Sequence, residues 1–100
     1  MYRLQRVPTH PGEVLREEFL KPLNLTQSFL ASKLQTSFHA INELVNEKRG
    51  ITTEMVLKLS RYFGTSAELW LNLQNQYDLY KVSTKKESEL NKIERYTEVA

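Results

Sequence analysis

LTQSFLASKLQTSFHAINELVNEKRG, residues 25–50, decides how this chain folds. It holds two short helical patterns with only Gln35, Thr36 and Ser37 between them. Thr26 is an N-cap for the first and Ser37 for the second, because a hydroxyl accepts from the backbone N–H groups that a helix start leaves unpaired. Phe29, Leu30, Ala31 and Leu34 give the first segment a buried face, and Ile41, Leu44 and Val45 give one to the second. NEKRG closes the second segment, with basic residues near its C-terminus and Gly50 beyond. Helices shorter than about 12 residues are marginal alone, so packing must hold these two. A link of about three residues forces a steep crossing, as in a helix-turn-helix. Ala31 is small enough to let the second helix come close.

Helical patterns continue in both directions. THPGEVLREEFLKPL opens with Thr9 or His10 as cap, has Pro11 in the first turn, and places Glu13 where it meets the helix dipole. Val14, Leu15, Phe19 and Leu20 form its apolar stripe, and Pro22 ends it, which predicts a helix over residues 11–21. A fourth helix runs from Thr52 or Thr53 to Phe63, with Met55, Val56, Leu59 and Phe63 inward and Gly64 as its stop. Thr65 opens TSAE, a capping box with Glu68, and a fifth helix carries Leu69, Trp70, Leu73, Tyr77 and Tyr80. The fold class is therefore all-α, with residues 1–82 as one domain. Residues 83–100, STKKESELNKIERYTEVA, are mostly charged and polar; they predict a mobile tail or an element that orders against a partner. Only YRLQRV, residues 2–7, alternates as a strand would.

The polar side of the third helix bears on function. With Ser37 as cap, Phe38, His39, Asn42, Glu43 and Asn46 turn outward. Residues in the opening turn of such a helix reach base edges when it enters a major groove. His39 and Asn42 can donate or accept, Glu43 can accept from a cytosine amino group, and Phe38 can touch a thymine methyl. Thr26 and Gln27 before them, with Lys48 and Arg49 after, are placed to hold the DNA backbone on either side. The caps Thr26 and Ser37 also put two helix N-termini, which suit a phosphate, on one side of the domain. The alternative is a solvated helix face, with Phe38 packed back on the second helix and Lys48 and Arg49 complementing the dipole.

Composition narrows the function classes. One hundred residues suit one domain, and an apolar fraction of 40% is adequate for a core. No cysteine is present, which excludes disulfides and thiolate metal sites and fits a reducing compartment. With two histidines, His10 and His39, a zinc site would need carboxylate help. No cofactor is expected. No apolar run is long enough for a membrane span, and MYRLQRVPTHPG lacks the apolar core of a signal peptide, so the expected location is cytoplasmic. The formal charge of +2 only weakly favours a polyanion. His39 and Glu43, four apart on one helix, are the sole acid–base pair, without a nucleophile, metal spacing or phosphate loop, so the chain is not expected to be an enzyme.

From His10 to Tyr80 the chain resembles the HigA-type antitoxins, members of the lambda-repressor-like (XRE) helix-turn-helix class. HPGE at residues 10–13 is similar to the family's opening motif. Residues 25–52 look like its helix-turn-helix and following turn, and LSRYFGTSAELWLNLQNQYDLYKV, residues 59–82, matches its ending. The resemblance implies a five-helix domain that forms a homodimer, binds a palindromic operator in its own promoter, and neutralises a HigB-type toxin, a ribosome-dependent mRNA endonuclease. Two departures bear on this. The family commonly has Gly where this chain has Gln35, so a left-handed turn position would carry a side chain at a cost of about 1 kcal/mol. It commonly has Arg where Glu43 stands, and an acidic group facing a groove repels phosphate. Trp70, Leu73, Tyr77 and Tyr80 are candidates for the dimer contact; within this set Trp70 also reads as core and Tyr77 as facing the seam, with Gln74 and Asp78 closing hydrogen bonds. A direct toxin surface is the other reading of that motif. The leading expectation is a dimeric autorepressor and antitoxin; a stand-alone transcriptional regulator and a protein-only interaction module are the alternatives.

Overall fold

The structure, a computed structural model, describes residues 7–98. These form six helices and no strand. The alternating stretch at residues 2–7 lies outside the described residues except for Val7. Helix α1 comprises Pro11–Val14, α-helical, and Leu15–Leu20, wound as a wider π-helix. It is followed by α2 (Gln27–Lys33), α3 (Phe38–Val45), α4 (Thr53–Phe63), α5 (Ala67–Lys85) and α6 (Glu87–Leu90). Helix α5 passes Val82 without a break, and every residue from Thr84 to Glu98 is exposed.

The helix starts follow from side-chain chemistry. Thr26, Ser37, Thr52 and Ser66 accept from the N–H of Phe29, Ala40, Met55 and Leu69 at 3.0, 3.0, 3.2 and 3.1 Å. The last of these corrects the expectation that Thr65 caps α5. The Thr65 hydroxyl instead accepts from the Trp70 indole N–H at 2.8 Å, so Ser66 takes the cap. At the helix ends, Asn24, Gln35 and Glu47 adopt left-handed backbone at φ 54°, 55° and 61°, and Gly64 does so at 72°. In each of the first three the next residue donates five positions back: Leu25 to Leu20 at 2.9 Å, Thr36 to Ala31 at 2.9 Å, Lys48 to Glu43 at 2.8 Å. This is the Schellman closure, here built without glycine.

The core joins Leu15, Leu20, Leu30, Ala31, Leu34, Ile41, Leu44, Val45, Val56, Leu59 and Trp70. Ring contacts of Phe19 with Phe63 (4.6 Å) and with Trp70 (5.4 Å) tie α1, α4 and α5 together. Phe29, expected inward, is 45% exposed. Leu30, Ala31 and Leu34 fill the inward arc of α2, which leaves Phe29 one face round beside Lys33, whose ammonium lies 5.3 Å from its ring centre. Trp70 is fully buried within the single chain. It offers no surface to a second copy, which removes it from the dimer contact and leaves it in the core.

The HPGE motif explains how α1 meets α3. His10 caps α1 by accepting from Gly12 N–H on Nδ1 at 2.9 Å, is itself buried, and packs edge-on against Tyr77 at 4.7 Å. Gly12 lies so close to α3 that a Cβ there would stand 1.7 Å from the Leu44 carbonyl oxygen. One turn on, Arg16 donates to the Val45 carbonyl and lies 3.6 Å from the Glu47 carboxylate. It thus closes the C-terminal end of α3, where a cation is favoured.

Two outcomes test this packing. Gly12→Ala should cost about 3 kcal/mol or more, since a backbone carbonyl cannot give way. Gly64→Ala, with open space around its Cβ, should cost only about 1 kcal/mol for its left-handed backbone; urea midpoints will rank the two. Burial lowers the His10 pKa in the fold, against a smaller opposing pull from Glu47. The neutral ring is therefore favoured on folding, and stability should be full above the unfolded value of about 6.5 and decline as pH falls below it toward the folded value. His10→Asn keeps a capping oxygen and should flatten that slope in thermal melts between pH 5 and 7.

Candidate nucleic-acid interface

Helices α2 and α3 are joined by a tight turn closed by Gln35 N–H to Ser32 and Thr36 N–H to Ala31. Gln35 carries the left-handed backbone expected of it. Its own carbonyl accepts from Lys58 Nζ at 3.1 Å, which ties the turn to α4. Ala31 is buried, as a close crossing requires. Ala40, Ile41, Leu44 and Val45 face the core, so the other side of α3 faces out.

That outward side carries two connected groups. Asn42 Nδ2 donates to Gln27 Oε1 at 3.0 Å and links the middle of α3 to the first residue of α2. Glu43 accepts on one oxygen from Arg49 Nε at 2.9 Å and Nη2 at 2.7 Å, while His39 Nε2 lies 3.2 Å from the other. The Arg49 guanidinium holds the Glu43 carboxyl below the usual carboxylate range. The acidic side chain therefore does not stand alone on this face; it is matched by a cation from the loop that follows.

Each residue assigned to DNA from sequence can now be placed. Phe38 is 51% exposed and the His39 side chain 74% exposed, at the opening turn of α3. Thr26 and Ser37 are exposed caps occupied with their own helices, and Gln27, Asn42 and Glu43 are partly buried by the contacts just given. Lys48 is exposed, and its charge acts on Glu43. Arg49 does not reach away along a backbone path but folds back over α3. On α5, Leu73, Tyr77 and Tyr80 are half-buried, and Tyr77 is already engaged by His10 and by Lys81, whose ammonium lies 5.8 Å from its ring centre. Gln74 accepts from Ile51 N–H at 2.7 Å and donates to Asp78 at 2.9 Å, closing hydrogen bonds as its spacing suggested.

Sequence reasoning missed Arg16 and the buried role of His10. The clue was present in HPGE: a glycine in the first turn of a helix weakens it unless something passes close by. No group of three or more His, Asp or Glu among the described residues is placed to hold a metal. No helix there is long and apolar enough to cross a membrane.

Comparison with known proteins places this geometry. The helix-turn-helix family profile matches residues 17–70. Virulence-associated protein I of Dichelobacter nodosus is 52% identical over 79 residues, 79% of this chain and 73% of that protein. The structure of Pseudomonas aeruginosa antitoxin HigA with the higBA promoter superposes with a TM-score of 0.86 at 40% identity, covering 90% of this chain and 99% of the other. That of antitoxin GraA in complex with its operator gives 0.88 at 32% identity, covering 98% and 100%. HigA and GraA are named as antitoxins, and an Escherichia coli relative, 38% identical over 98% of this chain and 88% of its own length, as a helix-turn-helix transcriptional regulator. The chain belongs to the helix-turn-helix family and, within it, to the HigA-type antitoxins.

Proposed function

We propose that this protein binds double-stranded operator DNA as a homodimer, represses its own promoter, and neutralises a HigB-type mRNA endonuclease toxin. The observation that carries the DNA-binding reading is the opening turn of α3. Ser37 fixes it, the apolar side of the helix is sunk in the core, and Phe38 and His39 project from it. The related HigA and GraA are described with promoter and operator DNA respectively, which supports the same role here. Phe38, His39, Asn42 and Glu43 face the groove. Thr26, Gln27, Ser37 and Lys48 lie beside them toward the backbone, with Arg49 at the end of the helix. A two-fold dimer sets two such helices about one DNA turn, ~34 Å, apart.

The dimer contact draws on α5, where Leu79 and Val82 are exposed beside half-buried Leu73, Tyr77 and Tyr80. Residues 1–82 serve DNA and self-association, and the exposed stretch from Thr84 to Glu98, which continues α5 and adds the short α6, offers a surface to a partner protein. The antitoxin half of the reading rests on membership of the HigA group. Neutralisation and repression both belong to the cytoplasm.

A band-shift titration on DNA upstream of the gene should give a complex whose affinity falls by about 10³-fold or more between 50 and 200 mM salt, as for a protein with six or more phosphate contacts. Folded protein that gives no salt-sensitive shift would defeat the DNA reading. Replacing Phe38, His39 and Asn42 together by Ala should abolish the operator shift while co-purification with the product of the adjoining reading frame survives. Loss of operator binding with capture intact separates the two faces; retention of the shift would refute the placement of α3.

A further inference from the structure

From the Glu43–Arg49 geometry we infer that Arg49 reads a guanine base in each operator half-site, with Glu43 as the positioning residue that aims it. The inference rests on the DNA-binding reading above and changes the role of one residue within it. A basic residue in the loop after α3 would ordinarily be assigned to phosphate, where it adds affinity and no sequence preference. Here the side chain is built differently.

Three observations fix it. First, α3 ends in a closed turn: Glu47 is left-handed and Lys48 N–H bonds back to the Glu43 carbonyl at 2.8 Å, which reverses the chain and brings Arg49 alongside the helix. Second, the Arg49 backbone comes close to the buried His10 ring, which the fold holds in place. Third, Nε and Nη2 both donate to one Glu43 oxygen, at 2.9 and 2.7 Å, across the outward side of α3. A guanidinium has five N–H donors in a rigid fork. Glu43 engages the edge formed by Nε and Nη2. The adjoining edge, one Nη1 hydrogen and the second Nη2 hydrogen, is left for a planar two-acceptor partner.

Guanine offers that partner in its O6 and N7 atoms in the major groove. A phosphate also offers two oxygens, but placing one here brings it beside the Glu43 carboxylate, and like charges repel. A neutral base avoids this penalty. The second Glu43 oxygen, which lies 3.2 Å from His39 Nε2, is positioned on the same face for the amino group of the paired cytosine. Lys48, one residue earlier and exposed, is the contrasting case of a cation suited to phosphate.

The test is selection of binding sites from a randomised DNA duplex by the full chain, with wild type, Arg49→Ala, Glu43→Gln and Lys48→Ala compared and their folding checked by circular dichroism. Wild type should select a consensus with a guanine at one position per half-site. Arg49→Ala should lose the guanine preference there by about tenfold or more while other positions keep theirs. Glu43→Gln should weaken the same preference, although it removes a negative charge and so should not weaken non-specific binding. Lys48→Ala should lower affinity evenly over all sequences and reduce the salt slope by about one. If Arg49→Ala selects the unchanged consensus with only an even loss of affinity, Arg49 is a phosphate contact and the inference falls while operator recognition stands. If wild type selects no consensus, the DNA reading itself falls with it.

Discussion

Helix α3 is held from behind by α1, and the closeness of that contact is set by the absence of one methyl group. Gly12 lets the first turn of α1 rest on the Leu44 carbonyl, and Arg16 then closes the end of α3 at Val45. An eight-residue helix cannot persist alone in water. Its inward residues Ile41, Leu44 and Val45 anchor it to the core, but burial is non-directional and does not fix its tilt. The α1 contact does, because a backbone-to-backbone approach has no rotamer to absorb a shift. His10 extends the same support to α5 through Tyr77. One tetrapeptide, HPGE, thus connects the helix that would meet DNA with the helix available for self-association.

Electrostatics on the outward face is local. A total charge of +2 describes no strongly basic surface. Glu43 would make matters worse if it stood alone, but Arg49 and His39 converge on it. What the face then presents is an ordered mixture of donors and acceptors, joined at its other end by the Asn42–Gln27 pair. Such a surface suits selective contact with base edges better than indiscriminate attraction to phosphate.

Much of this was readable from residue order. Thr26, Ser37, Gly64 and the apolar stripes of α1 to α4 act through neighbours three or four positions away, so their roles are encoded locally. Gln35 is the same kind of case: a short link between two helices demands a left-handed residue whichever side chain occupies it. The misses share a different cause. Thr65 and Ser66 are equally good caps in isolation, and only the Trp70 indole decides between them. Phe29 is apolar enough for the core, but the inward arc was already full. Arg16 and His10 act across 29 or more positions or through a buried contact, and Arg49 is turned by a loop whose conformation no periodicity describes. The α3 face could be listed from spacing; how its side chains are wired to one another could not.

Asn24, Gln35 and Glu47 each terminate a helix in a conformation that glycine adopts without penalty. At about 1 kcal/mol each for Gln35 and Glu47, and less for Asn24, whose side chain tolerates this backbone, the three positions together withhold part of the margin by which a small domain exceeds its unfolded chain. A domain so trimmed samples opened forms more often than its core alone would permit, and opened chains are what intracellular proteases cut. A ligand that binds only the closed form draws the population back toward it, so strain at three helix ends makes resistance to cleavage depend on occupancy.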